Sequence, residues 1–119
     1  MTVTVQLVSG LDVAGRYASG LELARRGAYF DAHEELELAW RACAAEERDF
    51  FQGLVHVVVA WYQAGRGNEV GCRRQLEKAA RRLGPFAPMH RGVDVAGLLD
   101  QVERARALGS LDLAPLEVP

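Results

Sequence analysis

The stretch FDAHEELELAW, Phe30 to Trp40, places one histidine among three glutamates. A histidine held beside a carboxylate has a fixed tautomer and suits general acid–base work near neutral pH. Taken as a helix with Leu36 at the centre of its apolar stripe, the segment sets Trp40 about 40°, His33 about 60° and Glu37 about 100° from that centre. His33 and Glu37 therefore occupy successive turns of one row, at the border between core and solvent. Glu34 lies farther round and is the more exposed.

A second segment repeats the arrangement. Around Val55, Arg48, Gln52 and His56 fall about 20°, 60° and 100° from the stripe centre. A hairpin turning near Ala44–Ala45 sets His33 beside His56, Glu37 beside Gln52 and Trp40 beside Arg48. Three chemistries fit. His33, Glu34 and Glu37 are the candidate catalytic residues. Trp40, Arg48, Gln52 and His56 complete a binding cluster. His33, Glu37 and His56 offer two nitrogens and one oxygen to a divalent metal with an open fourth position. The spacing H-E-x-x-E differs from the H-E-x-x-H of zinc proteases, and no second E-x-x-H motif suggests a di-iron bundle. A structural network, in which Glu37 accepts hydrogen bonds from Arg48 and Gln52 and Trp40 packs over the guanidinium, is the leading reading. A catalytic or ligand site comes second and a metal site third. No cofactor is required by any motif, and the identity of any small-molecule ligand is not legible.

The elements that position these residues follow from apolar periodicity and from glycine and proline stops. Five helical segments are expected, near 11–26, 29–44, 46–64, 69–83 and 93–108. The third contains LVHVVVAWY, whose β-branched residues favour a strand. Its length and the stripe Phe51, Val55, Val58, Val59 and Tyr62 decide for helix, and apolar residues on the opposite side place it centrally. Short connections predict antiparallel neighbours. Residues 1–10 (TVTVQLV alternates with period two) and 109–119 (LDLAPLEVP) read as extended or flexible ends, able to pair as a ribbon or to wrap a second subunit. The expectation is an all-α, single compact bundle of about five helices, spanning 1–119, with short extended termini.

Composition narrows the function classes. The chain has 119 residues, half of them apolar and a quarter charged, with a formal charge of −2. That length gives one domain with a substantial core, and the charge argues against a dedicated nucleic-acid or membrane-surface protein. The basic fourth segment (Arg73, Arg74, Lys78, Arg81, Arg82) keeps a nucleic-acid-associated protein as a second alternative. Cys43 and Cys72 lack zinc-finger spacing and read as reduced thiols. With no signal peptide and no apolar run of membrane length, the expected location is cytoplasmic, with a homo-oligomer among the partner readings.

GAYFDAHEELELAW, RDFFQGLVHVVVAWYQ, GNEVGCRRQLEKA and the later GVD together resemble domain-of-unknown-function family 309 of bacteria and archaea. The family pattern, Gly-x-Tyr, then H-E-x-x-E-x-x-W, then R-x-x-x-Q-G, falls on His33, Glu34, Glu37, Trp40, Arg48, Gln52 and Gly53. The resemblance implies a small all-α bundle and brings Glu34 into the cluster. The family often has an apolar residue or glutamine where this chain has His56, which weakens His56 as an obligatory ligand. The combined expectation is a binding or scaffold domain, with a small acid–base or metal-assisted hydrolase built on His33 and Glu34 or Glu37 as the alternative.

Overall fold

The computed structural model describes residues 2–118, with side chains from Asp12 to Val118. Five helices run α1 (Thr2–Arg25), α2 (Tyr29–Ala42), α3 (Arg48–Gly65), α4 (Glu69–Leu83) and α5 (Val95–Ala107). A hairpin of β1 (Met89–His90) and β2 (Val93–Asp94) precedes α5. The all-α reading holds, and the expected helix boundaries are met within a few residues except at the start of α1. There the extended reading of TVTVQLV is corrected, since the helix begins at Thr2. Propagating an existing helix adds one hydrogen bond per residue, so three valines and two threonines, which cost only tenths of a kcal/mol each, do not halt it. The fifth helix likewise starts two residues late, because Val93 and Asp94 pair with the strand Met89–His90.

Two turns share one chemistry. After α1, Gly27 takes φ +79° while its N–H bonds to Ala24 O at 3.0 Å and Ala28 N–H bonds to Leu23 O at 2.9 Å. After α3, Gly67 takes φ +76°, with Gly67 N–H on Ala64 O at 3.1 Å and Asn68 N–H on Gln63 O at 2.9 Å. Both are Schellman closures, which need a residue that accepts positive φ without strain. Asn68 and Asp94 then cap α4 and α5, accepting from the N–H of Gly71 and Gly97 at 2.9 Å each.

The helix α3 is the centre. It packs on α2 and on α4, while α1 packs on α2 and α5 on α4. Its buried residues include Phe50, Phe51, Leu54, Val57, Val58 and Trp61, which cover more than one face. This is why the β-branched run is helical: a helix apolar all round is stabilised by neighbours on two sides. Gly53 sets the closeness of α3 to α4, since a Cβ there would lie 2.6 Å from the Leu83 side chain. The glycine of the expected R-x-x-x-Q-G pattern is thus a packing residue. The segment after α5 contains no helix or strand from Gly109 to Val118, as expected, yet it is packed, with Leu116 and Val118 buried. It crosses the bundle instead of pairing with the opposite end of the chain.

Candidate functional site

Ala32, Leu36 and Ala39 bury one face of α2. That burial rotates Phe30, His33, Glu34, Glu37, Leu38 and Arg41 into a row along its outer edge. His33 Nε2 lies 3.0 Å from Glu37 Oε2, and Arg41 donates to Glu37 Oε1 at 2.6 Å. Nε2 therefore carries the proton of a neutral His33 ring, which leaves Nδ1 as a buried acceptor without a partner among the described residues. His33, Glu34, Glu37, Leu38 and Arg41 line an open depression of about 230 Å³. Phe30, His33, Val59, Tyr62 and Gln63 line a second, of about 150 Å³, so His33 stands between the two. The three expected catalytic residues are on one surface, with Glu34 the most exposed of them, as periodicity alone indicates.

Trp40 and Arg48 meet as expected, the guanidinium carbon lying 4.6 Å from the ring centroid. The remainder of the expected cross-helix network is different. Glu37 takes its partners from its own helix, His33 and Arg41, and not from Arg48 or Gln52. His56 bonds through Nδ1 to Gln75 Oε1 of α4 at 2.7 Å. The α3 residues that line a depression with His33 are Val59, Tyr62 and Gln63, one to two turns beyond His56. Burial pushes the His56 pKa below its ordinary value, reinforced by Lys78, Arg82 and Arg81 and opposed by the Gln75 hydrogen bond. The proposed metal set His33, Glu37 and His56 is not gathered, and among the described residues no group of three or more His, Cys, Asp or Glu side chains is arranged to hold an ion.

Sequence reasoning missed a second polar cluster. Glu47, at the end of a 3-10 turn (Ala45–Glu47), receives His90 Nε2 at 2.8 Å and Arg91 at 3.0 Å. The His90 ring packs against both Phe50 and Phe86, at centroid distances of 4.6 and 4.8 Å. Arg91 adopts φ +46° at the hairpin turn, lies 5.2 Å from both the Tyr17 and Phe51 rings, and its carbonyl accepts from the Tyr17 hydroxyl at 2.8 Å. Burial acts to raise the Glu47 carboxyl, but the bonds from Arg91 and His90 outweigh it and hold the pKa below the ordinary carboxylate value. The signal available beforehand was weak: a His-Arg-Gly turn and an aromatic-rich start to α3.

The basic residues Arg73, Arg74, Lys78 and Arg81 lie exposed on α4, opposite buried Cys72, Leu76 and Ala79. Arg82 is partly tied down by Asp49 at 2.8 Å. Cys43 and Cys72 are both free thiols, and burial raises the pKa of each.

A family model described as a domain of unknown function (DUF309) matches residues 17–75. That stretch belongs to the family. The DUF309 match begins at Tyr17 in α1 and includes every residue expected at the site, Glu47 as well, while His90, Arg91 and the GVD of β2 lie beyond it. No match was found among curated proteins or among solved structures. No helix among the described residues is long and apolar enough to cross a membrane.

Proposed function

We propose that the chain is a binding or scaffold domain whose polar row on α2 shapes a surface and does not perform a reaction. The observation that carries this reading is the mutual engagement of the candidate groups. Glu37 is held between His33 at 3.0 Å and Arg41 at 2.6 Å, Arg48 lies on Trp40, and His56 is turned toward α4. Arg48 and His56 do not join His33 and Glu37 at the depression beside them, so no larger set of groups is aimed at one point where a substrate atom would sit. Exposed Phe30 and Leu38 flank the row, and apolar anchors beside polar groups have the composition of a contact patch. A second copy of the chain or another protein is the kind of partner such a patch serves.

The acid–base alternative has one observation in its favour, the depression of about 230 Å³ that His33, Glu34 and Glu37 share. A panel of ester, amide and phosphoester substrates separates the two. The binding reading expects no turnover that His33→Ala removes, and at most about 1 kcal/mol of stability lost in that variant, as for other part-exposed pairs. Turnover lost with His33 overturns it.

A further inference from the structure

The segment Leu111–Val118 is held in an unusual way. Arg25 of α1 donates to Val118 O at 2.9 Å, and the Tyr29 hydroxyl of α2 accepts from Leu116 N–H at 3.2 Å. Trp61 of α3 donates through its indole N–H to Ala114 O at 2.9 Å. Gln101 of α5 donates to Glu117 O at 2.7 Å and accepts from Glu117 N–H at 2.9 Å. Four helices thus contribute one side chain each, and all five bonds end on backbone atoms. Among the described residues the segment makes no backbone–backbone hydrogen bond. Side chains that grip main-chain atoms are indifferent to the sequence they hold. Selectivity then comes from the apolar residues that are buried, here Leu116 and Val118.

The groove is also wider than the strap that crosses it. A cavity of about 330 Å³ lies between Trp61, Arg104 and Ala105 on the helices, Leu108 just after α5, and Ala114 and Pro115 on the strap. That is the lower end of the range for specific binding pockets. It opens where the strap presents its smallest side chain, Ala114.

We propose that this groove is a peptide-recognition site, occupied in cis by Leu111–Val118 and able to take in trans a segment of another protein. The partner is an irregular, apolar stretch with residues like Leu116 and Val118 at those positions and a side chain larger than alanine opposite Trp61. The larger side chain is what lets an outside segment compete, because the tethered strap has an effective concentration on the order of millimolar for a short connection. Gly109, at φ +73°, makes the turn by which the strap leaves the end of α5. The inference is independent of the α2 surface, which lies on other residues.

The test uses a fluorescently labelled peptide of residues Ser110–Val118 carrying Ala114→Leu, followed by anisotropy. Two full-chain hosts are compared, the unaltered protein and a strap-weakened variant with Leu116→Asp and Val118→Asp. Saturable binding is expected to both, at least tenfold tighter to the weakened host. Gln101→Ala or Trp61→Phe added to that host is expected to weaken binding about tenfold or more. If the weakened host does not fold, the unaltered chain decides alone: the peptide should shift the backbone amide NMR signals of Leu116 and Glu117 as it displaces the strap. Absence of saturable binding to a folded host overturns the proposal. So does equal affinity in the Gln101 and Trp61 variants. A weakened host that dimerises and excludes the peptide assigns the groove to a second copy, and also overturns it.

Discussion

Among the described residues are two histidine–carboxylate pairs of nearly equal length, one within a single helix and one between distant parts of the chain. His33 and Glu37, 3.0 Å apart, are one turn apart on the exposed edge of α2. His90 and Glu47, 2.8 Å apart, join the hairpin to the α2–α3 connection inside a ring of Phe50, Phe86 and, through Arg91, Tyr17 and Phe51. The first pair costs little to form because the helix has already placed both partners. The second closes a long loop and desolvates a carboxylate whose side chain is only 17% exposed. The two histidines are about equally exposed, at 27% and 29%, so the contrast rests on the carboxylates and on the second cation: Glu47 is 17% exposed against 33% for Glu37, and it holds His90 and Arg91 together across the fold.

The largest effect that would sharpen this contrast is the loss of one inner partner. Glu47→Ala strands His90 and Arg91 together and should cost about 2–4 kcal/mol in urea denaturation. Glu37→Ala should cost at most about 1 kcal/mol. Equal losses would break the comparison. Double-mutant cycles come next, with a coupling of about 1–3 kcal/mol for Glu47 with His90 against about 0.5 kcal/mol or less for His33 with Glu37.

Acid should then separate two groups. The folded pKa of His56 is depressed below 6.5, so the unfolded chain takes up that proton first. Its contribution is complete above about pH 6.5 and is lost as pH falls toward the lower folded value. Glu47 is also depressed, from 4.5. Its contribution holds above that value and disappears as pH falls through the folded pKa. Stability measured from pH 7 to 3 should show both losses, with His56→Gln flattening the first and Glu47→Gln the second. A retained slope in either variant would reassign the group. The smallest effect is Arg48→Ala at the Trp40 stack, about 0.5–1 kcal/mol for an exposed cation over a ring.

Legibility followed distance along the chain. The His33–Glu37 row needed only the 100° step of a helix, and Trp40 over Arg48 needed only a short connection between two helices. The expected pairing of His33 with His56 assumed that α3 faces α2 alone. The register holds next to the connection, where Trp40 meets Arg48, but α3 also serves α4, where Gln75 receives His56. No periodicity could have joined Glu47 to His90 and Arg91, or Arg25, Tyr29, Trp61 and Gln101 to one strap. Those meetings depend on where the bundle folds back on itself.

Local physics, read from the residues in order, determined the five helices, the two glycine closures, the buried stripe of each helix and the outward row on α2. Each rests on interactions within a turn or two of chain, whose geometry is the same in any helix. Tertiary packing alone decided which faces of α3 meet α2 and α4, how the hairpin engages Glu47, and how side chains from four helices grip one segment. Those outcomes depend on loop closure and on competition among apolar faces for the same central helix, and neither is encoded in any single stretch of the sequence.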